Sequence, residues 1–415
     1  MGSTFRREPN VNDTRARLGA LRRQSGIAAG EAVTAGERET IDALRSRLQR
    51  VGTGRRRAPR RRRIGDGTLA TRLGGDLIHD GVILIRERLP MGAAHGDSPL
   101  SDPASRPGLV LGGAGATPRD CVFMDTETTG LAGGTGTLAF LLGMARFRDG
   151  QLEVAQFFLT GFQGEAAMLD AARDFLCGAD ALVTFNGRSF DAPLLAARYR
   201  LAGTRDPFAE LPHVDLLAPT RRAFKTRWPD CRLQTAERRL LGVARVDDLP
   251  GAEAPRAWFD WVRHGRDGAL AGVCSHNRLD LLSLVVLPAA LQRSHDDPAA
   301  TGADAHGWAK NHNRVLGEES AFDYLQRHRD TLETDGLLEL ARLARRRREW
   351  PLAVAIWEQL AGEGEPAAIE HLAKYLEHEK KDFRQALEAT ARLLARAPDD
   401  RHHLRRDARL RGRLA

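Results

Sequence analysis

Apolar positions recur along this chain in two periods, and where the period changes the elements change with it. Val122-Phe123-Met124 is a short apolar run that ends in Asp125-Thr126-Glu127-Thr128-Thr129-Gly130-Leu131. Leu138 to Phe147 and Leu152 to Leu159 are longer apolar runs joined by Arg148-Asp149-Gly150. Asp-Gly between such runs predicts a hairpin, so the acid-bearing strand heads a three-stranded meander. Glu165 to Leu176 carries Ala167, Leu169, Ala172, Phe175 and Leu176 at helical spacing. Ala181 to Phe185 predicts a buried strand closed by the turn Asn186-Gly187, and Pro193 suits the first turn of a helix running to about Leu201. His213 to Leu217 is another short segment, Leu233 to Leu241 reads as a helix stopped by Gly242, and a last informative helix is expected over Ala271 to Leu287.

The flanks read differently. Residues 1–35 are polar without a period and predict disorder. Ile41, Leu44, Leu48 and Val51 predict an amphipathic helix over Glu37 to Val51, ahead of a basic run from Gly54 to Arg63. Such a run is normally a solvated tail and also suits a sequence-blind tether to nucleic acid. Gly81 to Arg86 is a plausible strand, and Pro90 to Pro118 a loop or linker. From about Leu337 the pattern is almost wholly helical, and Leu340-Ala341-Arg342 with Trp350-Pro351 finds an echo in Leu372-Ala373-Lys374 with Phe383-Arg384. The offset is near the ~34-residue period of tetratricopeptide repeats. Two copies are too few to stand alone, so they are expected to lean on the core or on a protein partner.

Composition narrows the class. The 415 residues are 42% hydrophobic and carry a net charge of +8, mostly through arginine, which favours polyanionic partners. No apolar run approaches the ~20 residues that span a bilayer, and Met1 to Asn10 is polar, so no membrane and a cytoplasmic location are expected. Cys121, Cys177, Cys231 and Cys274 lie far apart without C-x-x-C spacing, which argues against zinc and against a disulfide framework. Gly133-Gly134-Thr135-Gly136 lacks the residues of a phosphate loop or dinucleotide fingerprint.

The candidate chemistry lies in the acids. In a strand Asp125 and Glu127 share one face, where they repel and lose hydration unless a divalent cation sits between them. The bland alternative is a solvated strand end. Asp191 stands at a helix N-terminus just past a strand, where a carboxylate also serves as a cap. His276 and Asp280 are four apart on one helical face, either a solvated pair or, given the apolar surroundings of Asp280, a buried acid in need of a partner.

In this order D-T-E-T-T-G-L, N-G-R-S-F-D and H-N-R-L-D resemble the DEDD 3′→5′ exonucleases of the ribonuclease H-like superfamily. G-G-T-G-T-L-A-F-L-L-G and L-Q-T-A-E-R-R-L-L-G look like its bacterial YprB-type branch, in which trailing helical repeats are usual. The resemblance covers about Asp120 to Leu287 and, loosely, the C-terminal helices. It implies an α/β fold, a mixed sheet flanked by helices, with 119–295 the nuclease-like domain and 330–415 the helical region; the residue pattern alone sets off 1–64 as a disordered basic N-terminal region with one helix and 65–118 as a strand and linker. It further implies two Mg²⁺ or Mn²⁺ ions, bridged by Asp125, with Glu127 and Asp280 helping to hold the one that activates water and Asp191 supporting the pair. Two ions ~3.5–4 Å apart stabilise both oxygens of an in-line phosphodiester displacement. Thr126, Asn186 and Phe190 become candidates for substrate contact. Family members carry a tyrosine three residues clear of the last aspartate or a histidine four clear, whereas here His276 stands at the tyrosine spacing. It can act as general base, or as a helix-face partner of Asp280. The expected activity is a metal-dependent nuclease acting on DNA or RNA; the alternative is a degenerate nucleic-acid-binding or scaffold protein.

Overall fold

The acid-bearing strand lies inside a seven-stranded sheet. In the computed structural model, residues 64–100, 117–130 and 136–415 are described. The amphipathic helix and basic run expected before residue 64, and Gly133 to Thr135 of the glycine turn, lie outside them. The strands are β1 (Asp76–His79), β2 (Val82–Pro90), β5 (Cys121–Thr128), β6 (Ala139–Arg148), β7 (Gln151–Leu159), β8 (Ala181–Thr184) and β9 (His213–Asp215), while β3 (Ala94–His95) and β4 (Ser98–Pro99) form a separate small hairpin. The sheet runs β1-β2-β7-β6-β5-β8-β9, with β5, β8 and β9 parallel and the remainder antiparallel. The hairpin at Asp149-Gly150 and the meander are as the sequence predicts, and Asp149 takes the left-handed conformation (φ 51°) that the tight turn needs.

Both faces of the sheet are covered. Cys121 and Phe123 enter one apolar cluster while Val122 and Met124 enter the other, the period-two alternation of a strand buried on both sides. The helices are α1 (Asp66–Leu73), α2 (Glu165–Leu176), α3 (Asp191–Leu201), α4 (Leu217–Phe224), α5 (Leu233–Ala236, continued by a π turn over Glu237–Leu241), α6 (Ala254–His264) and α7 (Leu270–Asp296). Gly242 ends the π turn in the left-handed conformation (φ 65°), as its place in the sequence suggests.

Three expectations need correction. The linker over Pro90 to Pro118 holds the β3–β4 hairpin in its described part. The all-helical region starts before Leu337, with α8 (Pro298–Thr301), α9 (Ala305–Val315) and α10 (Glu318–Arg327) ahead of α11 (Thr334–Arg346), α12 (Trp350–Gly362), α13 (Pro366–Tyr375), α14 (Phe383–Arg396) and α15 (Arg401–Leu414). These helices lean on the core: Phe123 and Val183 of the sheet share one apolar cluster with Trp308, Tyr324, Leu340 and Trp357. Helix α7 also revises the reading by apolar runs, because by length and composition it is long and apolar enough to cross a bilayer. Yet 67% of its most apolar window is buried inside the protein, as in the central helix of a globular core.

Candidate active site

Three stretches of chain bring carboxylates to one place. β5 supplies Asp125 and Glu127, both on the side of Phe123, with Asp125 paired to Gly143 and Glu127 to Leu141 across β6. Asp191 arrives as the first residue of α3. The loop before it turns at Asn186, in the left-handed region (φ 67°) that asparagine tolerates. Asp215 of β9 fixes that loop: its carboxylate accepts hydrogen bonds from the backbone N–H of Asn186 (2.7 Å), Arg188 (3.2 Å) and Leu217 (3.0 Å). The Thr126 hydroxyl donates to the Asp191 carboxylate and ties α3 to β5. Asp280 and His276 come from α7, which packs across β5 and β6.

Electrostatics report the convergence. Burial raises Asp125 well above the usual carboxylate range, and the charges of Asp280, Asp191 and Glu127 push the same way. Burial, then Asp280 and Asp191, push Glu127 up to about 8. Asp191 rises to about 6 through burial, which its hydrogen bond from Thr126 opposes. Asp280 is raised by burial against the pull of Arg245 and His276. Carboxylates that raise one another this way are neighbours without enough positive charge among them. Their donor set, four carboxylates and no thiolate, fits a hard divalent cation.

The structure supplies a counter-charge of its own. The Arg245 guanidinium donates to Glu237 (2.6 and 2.7 Å), to Asp248 (2.9 Å) and to Asp280. Burial works against its charge, but its bonds to Glu237 and the field of Asp280 hold it above the usual arginine range. Glu237 is fully buried and also accepts from the Ser283 hydroxyl. Among the described residues, no three His, Cys, Asp or Glu side chains stand close enough together to grip an ion as placed.

His276 is buried, with Nδ1 against the Asp248 carboxylate (2.8 and 2.9 Å) and Nε2 facing the cluster, 3.5 Å from Asp280 Oδ2 and 4.0 Å from Glu127 Oε1. Phe190, just before Asp191, is 55% exposed. Thr126 thus touches Asp191, whereas Asn186 and Phe190 shape the approach to it.

Four contributors escaped the sequence reading: Asn277, Asp248, Arg245 and Glu237. Asn277 had a signal, its place beside His276 on a helix that also carries Asp280. Asp248 and Arg245 sit in a loop without a period, where nothing local marks an acid or a cation as aimed inward. Asp215, within the short segment His213 to Leu217, is the brace of the Asp191 loop.

A profile of the RNase_H superfamily matches residues 122–292, a span that holds all four carboxylates and His276. Members of that superfamily are typically hydrolytic nucleases. The chain is 33% identical over 301 residues to "Uncharacterized protein YprB" of Bacillus subtilis (strain 168), a match over 69% of this chain and 72% of the relative. The mixed sheet and both likenesses agree: the chain belongs to the YprB family and carries a ribonuclease H-superfamily domain.

Proposed function

We propose that this protein is a metal-dependent nuclease that hydrolyses nucleic-acid phosphodiester bonds, trimming 3′ ends. The observation that carries the reading is the convergence of Asp125, Glu127, Asp191 and Asp280, each held above its ordinary pKa by burial, with Asp125 and Glu127 pushed further by the charges of the others. These four would hold Mg²⁺ or Mn²⁺, two ions by analogy with the family, and the cations would supply positive charge to the phosphate under attack. The residues of the chain do the rest. Asp248 holds Nδ1 of His276, so Nε2 faces the cluster and takes the proton of the attacking water. Thr126 keeps Asp191 turned towards β5. Asn277 holds Asp125 from behind. The test is a panel of end-labelled single- and double-stranded DNA and RNA with Mn²⁺ or Mg²⁺, with Asp125→Asn alongside. Metal-dependent shortening that the variant lacks supports the assignment; equal activity in a clean Asp125→Asn preparation rejects it.

A second reading has its own observation. Arg245 already pairs with Asp280, Asp248 and Glu237, as in a site whose charge has been settled by the chain itself. On that reading the protein binds nucleic acid or a partner, the latter through its C-terminal helices, and does not cleave. Calorimetric titration separates the two: Mn²⁺ uptake by the wild type, lost in Asp125→Asn, supports the nuclease, and no uptake supports the scaffold.

A further inference from the structure

A cleft of about 560 Å³ opens where α4 meets α9, beside the loop that delivers Asp191. Four arginines line it: Arg188 from that loop, Arg221 and Arg222 from α4, and Arg314 from α9. Among the described residues none has a carboxylate within ion-pair distance. Arg188 donates to the backbone carbonyl of His213, and Arg222 to the side-chain oxygen of Asn311 (2.6 Å). One acid, Asp215, also lines the cleft, but its carboxylate is engaged by the three backbone N–H groups that brace the loop.

The arrangement is held rigidly and at an electrostatic cost. A Cβ on Gly307 would lie 1.8 Å from the Arg222 carbonyl oxygen, so α9 packs on α4 as closely as a backbone allows. The N–H of Asp304 donates to the Ala223 carbonyl (2.7 Å) and fixes the same contact. Arg222 is half-buried, and burial together with the charge of Arg314 pulls its pKa down. Guanidiniums in one cleft, none ion-paired to an acid among the described residues, favour an anion, and their fork geometry matches phosphate oxygens.

We propose that this cleft is a backbone-phosphate site for a single nucleic-acid strand, reached from the carboxylate cluster across the exposed ring of Phe190. Ser189 lines the cleft, Phe190 follows it, and Asp191 follows Phe190 into the cluster, so one loop joins the two sites. A ring 55% exposed at that junction offers a face on which a base can stack. Contact with phosphates and a ring face, without base edges, suits strands of any sequence. The helical region therefore contributes to nucleic-acid binding through α9. The route of the strand rests on the nuclease reading, whereas the existence of the phosphate site does not.

The test measures binding apart from cleavage. Fluorescence anisotropy of 5′-labelled dT20 and U20 is followed with the full-length chain in EDTA across a salt series. The triple variant Arg188→Gln/Arg221→Gln/Arg314→Gln changes exposed side chains only. It is expected to raise Kd at least tenfold and to reduce the slope of log K against log salt by about 2, at ~0.7 per phosphate on a single strand. A charge-matched control, Arg384→Gln/Arg401→Gln/Arg405→Gln on α14 and α15, is expected to stay within twofold of wild type. Circular dichroism melts check folding, and single variants at Arg221 and Arg314, each weakening binding about threefold, replace the triple if it unfolds. An equal loss in the control, or no loss in the cleft variants, overturns the proposal. Competition by dTMP as strong as by unlabelled dT20 also overturns it, assigning the cleft to a free nucleotide. Comparing the DNA and RNA probes shows which strand is preferred. Absence of Mn²⁺-dependent cleavage with these losses intact would remove the nuclease reading and leave the phosphate site standing.

Discussion

The side-chain amide of Asn277 donates to Asp125 twice, to Oδ2 at 2.8 Å and to the backbone carbonyl at 3.2 Å. Its own oxygen accepts from Gln156 (2.8 Å), so the amide is held from both ends. There is room for it because the residue paired with Asp125 across the sheet is Gly143, where a Cβ would lie 2.1 Å from Asn277 Oδ1. Gly143→Ala is expected to destabilise the protein by roughly 1–3 kcal/mol, the range for overpacking a tight interior. Asn277→Ala in the same chain should return part of that loss. Denaturant melts of both single variants and the double variant measure the coupling, and strict additivity would count against the contact.

The cluster makes stability depend on pH and on cations. Glu127 holds its proton up to about 8 in the folded chain against an ordinary 4.5, so between those values the folded state binds more protons than the unfolded one. Stability in EDTA therefore falls as pH rises through that window. His312, held down at about 4 by burial and by His295, works in the other direction and loses stability as pH falls below 6.5. Melts between pH 6.5 and 8.5 isolate the acids. The expected result is a falling Tm in EDTA, a recovery with Mn²⁺, and a flattened profile in Glu127→Gln. A wild-type Tm that climbs over this range without metal is incompatible with the crowding.

Arg245→Met should separate the two charge partners of Asp280. Removing the guanidinium leaves Glu237, fully buried, without its cation, a loss of roughly 3–5 kcal/mol for a broken buried pair. It also frees Asp280, so Mn²⁺ should bind more tightly per folded molecule. Calorimetry beside thermal melts reads both; unchanged affinity would mean that Arg245 does not compete for that carboxylate.

Asp248→Asn tests the orientation of His276. An amide keeps the size of the carboxylate but accepts from Nδ1 through one oxygen and without charge. A loss of about 10–100-fold in kcat, with KM little changed and the acid limb of the pH–rate profile displaced, is expected for an outer residue that orients a reacting one. A rise in KM alone would place Asp248 in substrate binding.

Phe190→Ala removes a ring that is more than half exposed. Its effect should fall on binding, about 1–3 kcal/mol for one stacked base, with melting unchanged. A large drop in Tm with unaltered affinity for dT20 would make the ring structural.

The elements that could be read in advance are those whose signal is local. The hairpin at Asp149-Gly150, the helix over Glu165–Leu176 and the stop at Gly242 each follow from residues within a few positions. The pairing of His276 with Asp280 along one helical face is likewise local. By contrast, the Asp248 contact to His276 spans 28 residues, and that of Asn277 to Asp125 spans 152. No period encodes either. The early start of the helical region has no clear period, because α8 is a single turn and α9 and α10 are short and polar, with His, Asn, Asp and Glu among their apolar positions.

By itself the sequence determined the central hairpin, the strongly periodic helices and which acids stand together on β5, because backbone geometry repeats every two or 3.6 residues. Only the tertiary structure decided which way His276 turns, that Arg245 neutralises Asp280, and that four arginines on three segments line one cleft. Those are facts of Coulombic and packing contact in space, where distance along the chain carries no weight and only closure of the fold brings the groups within reach.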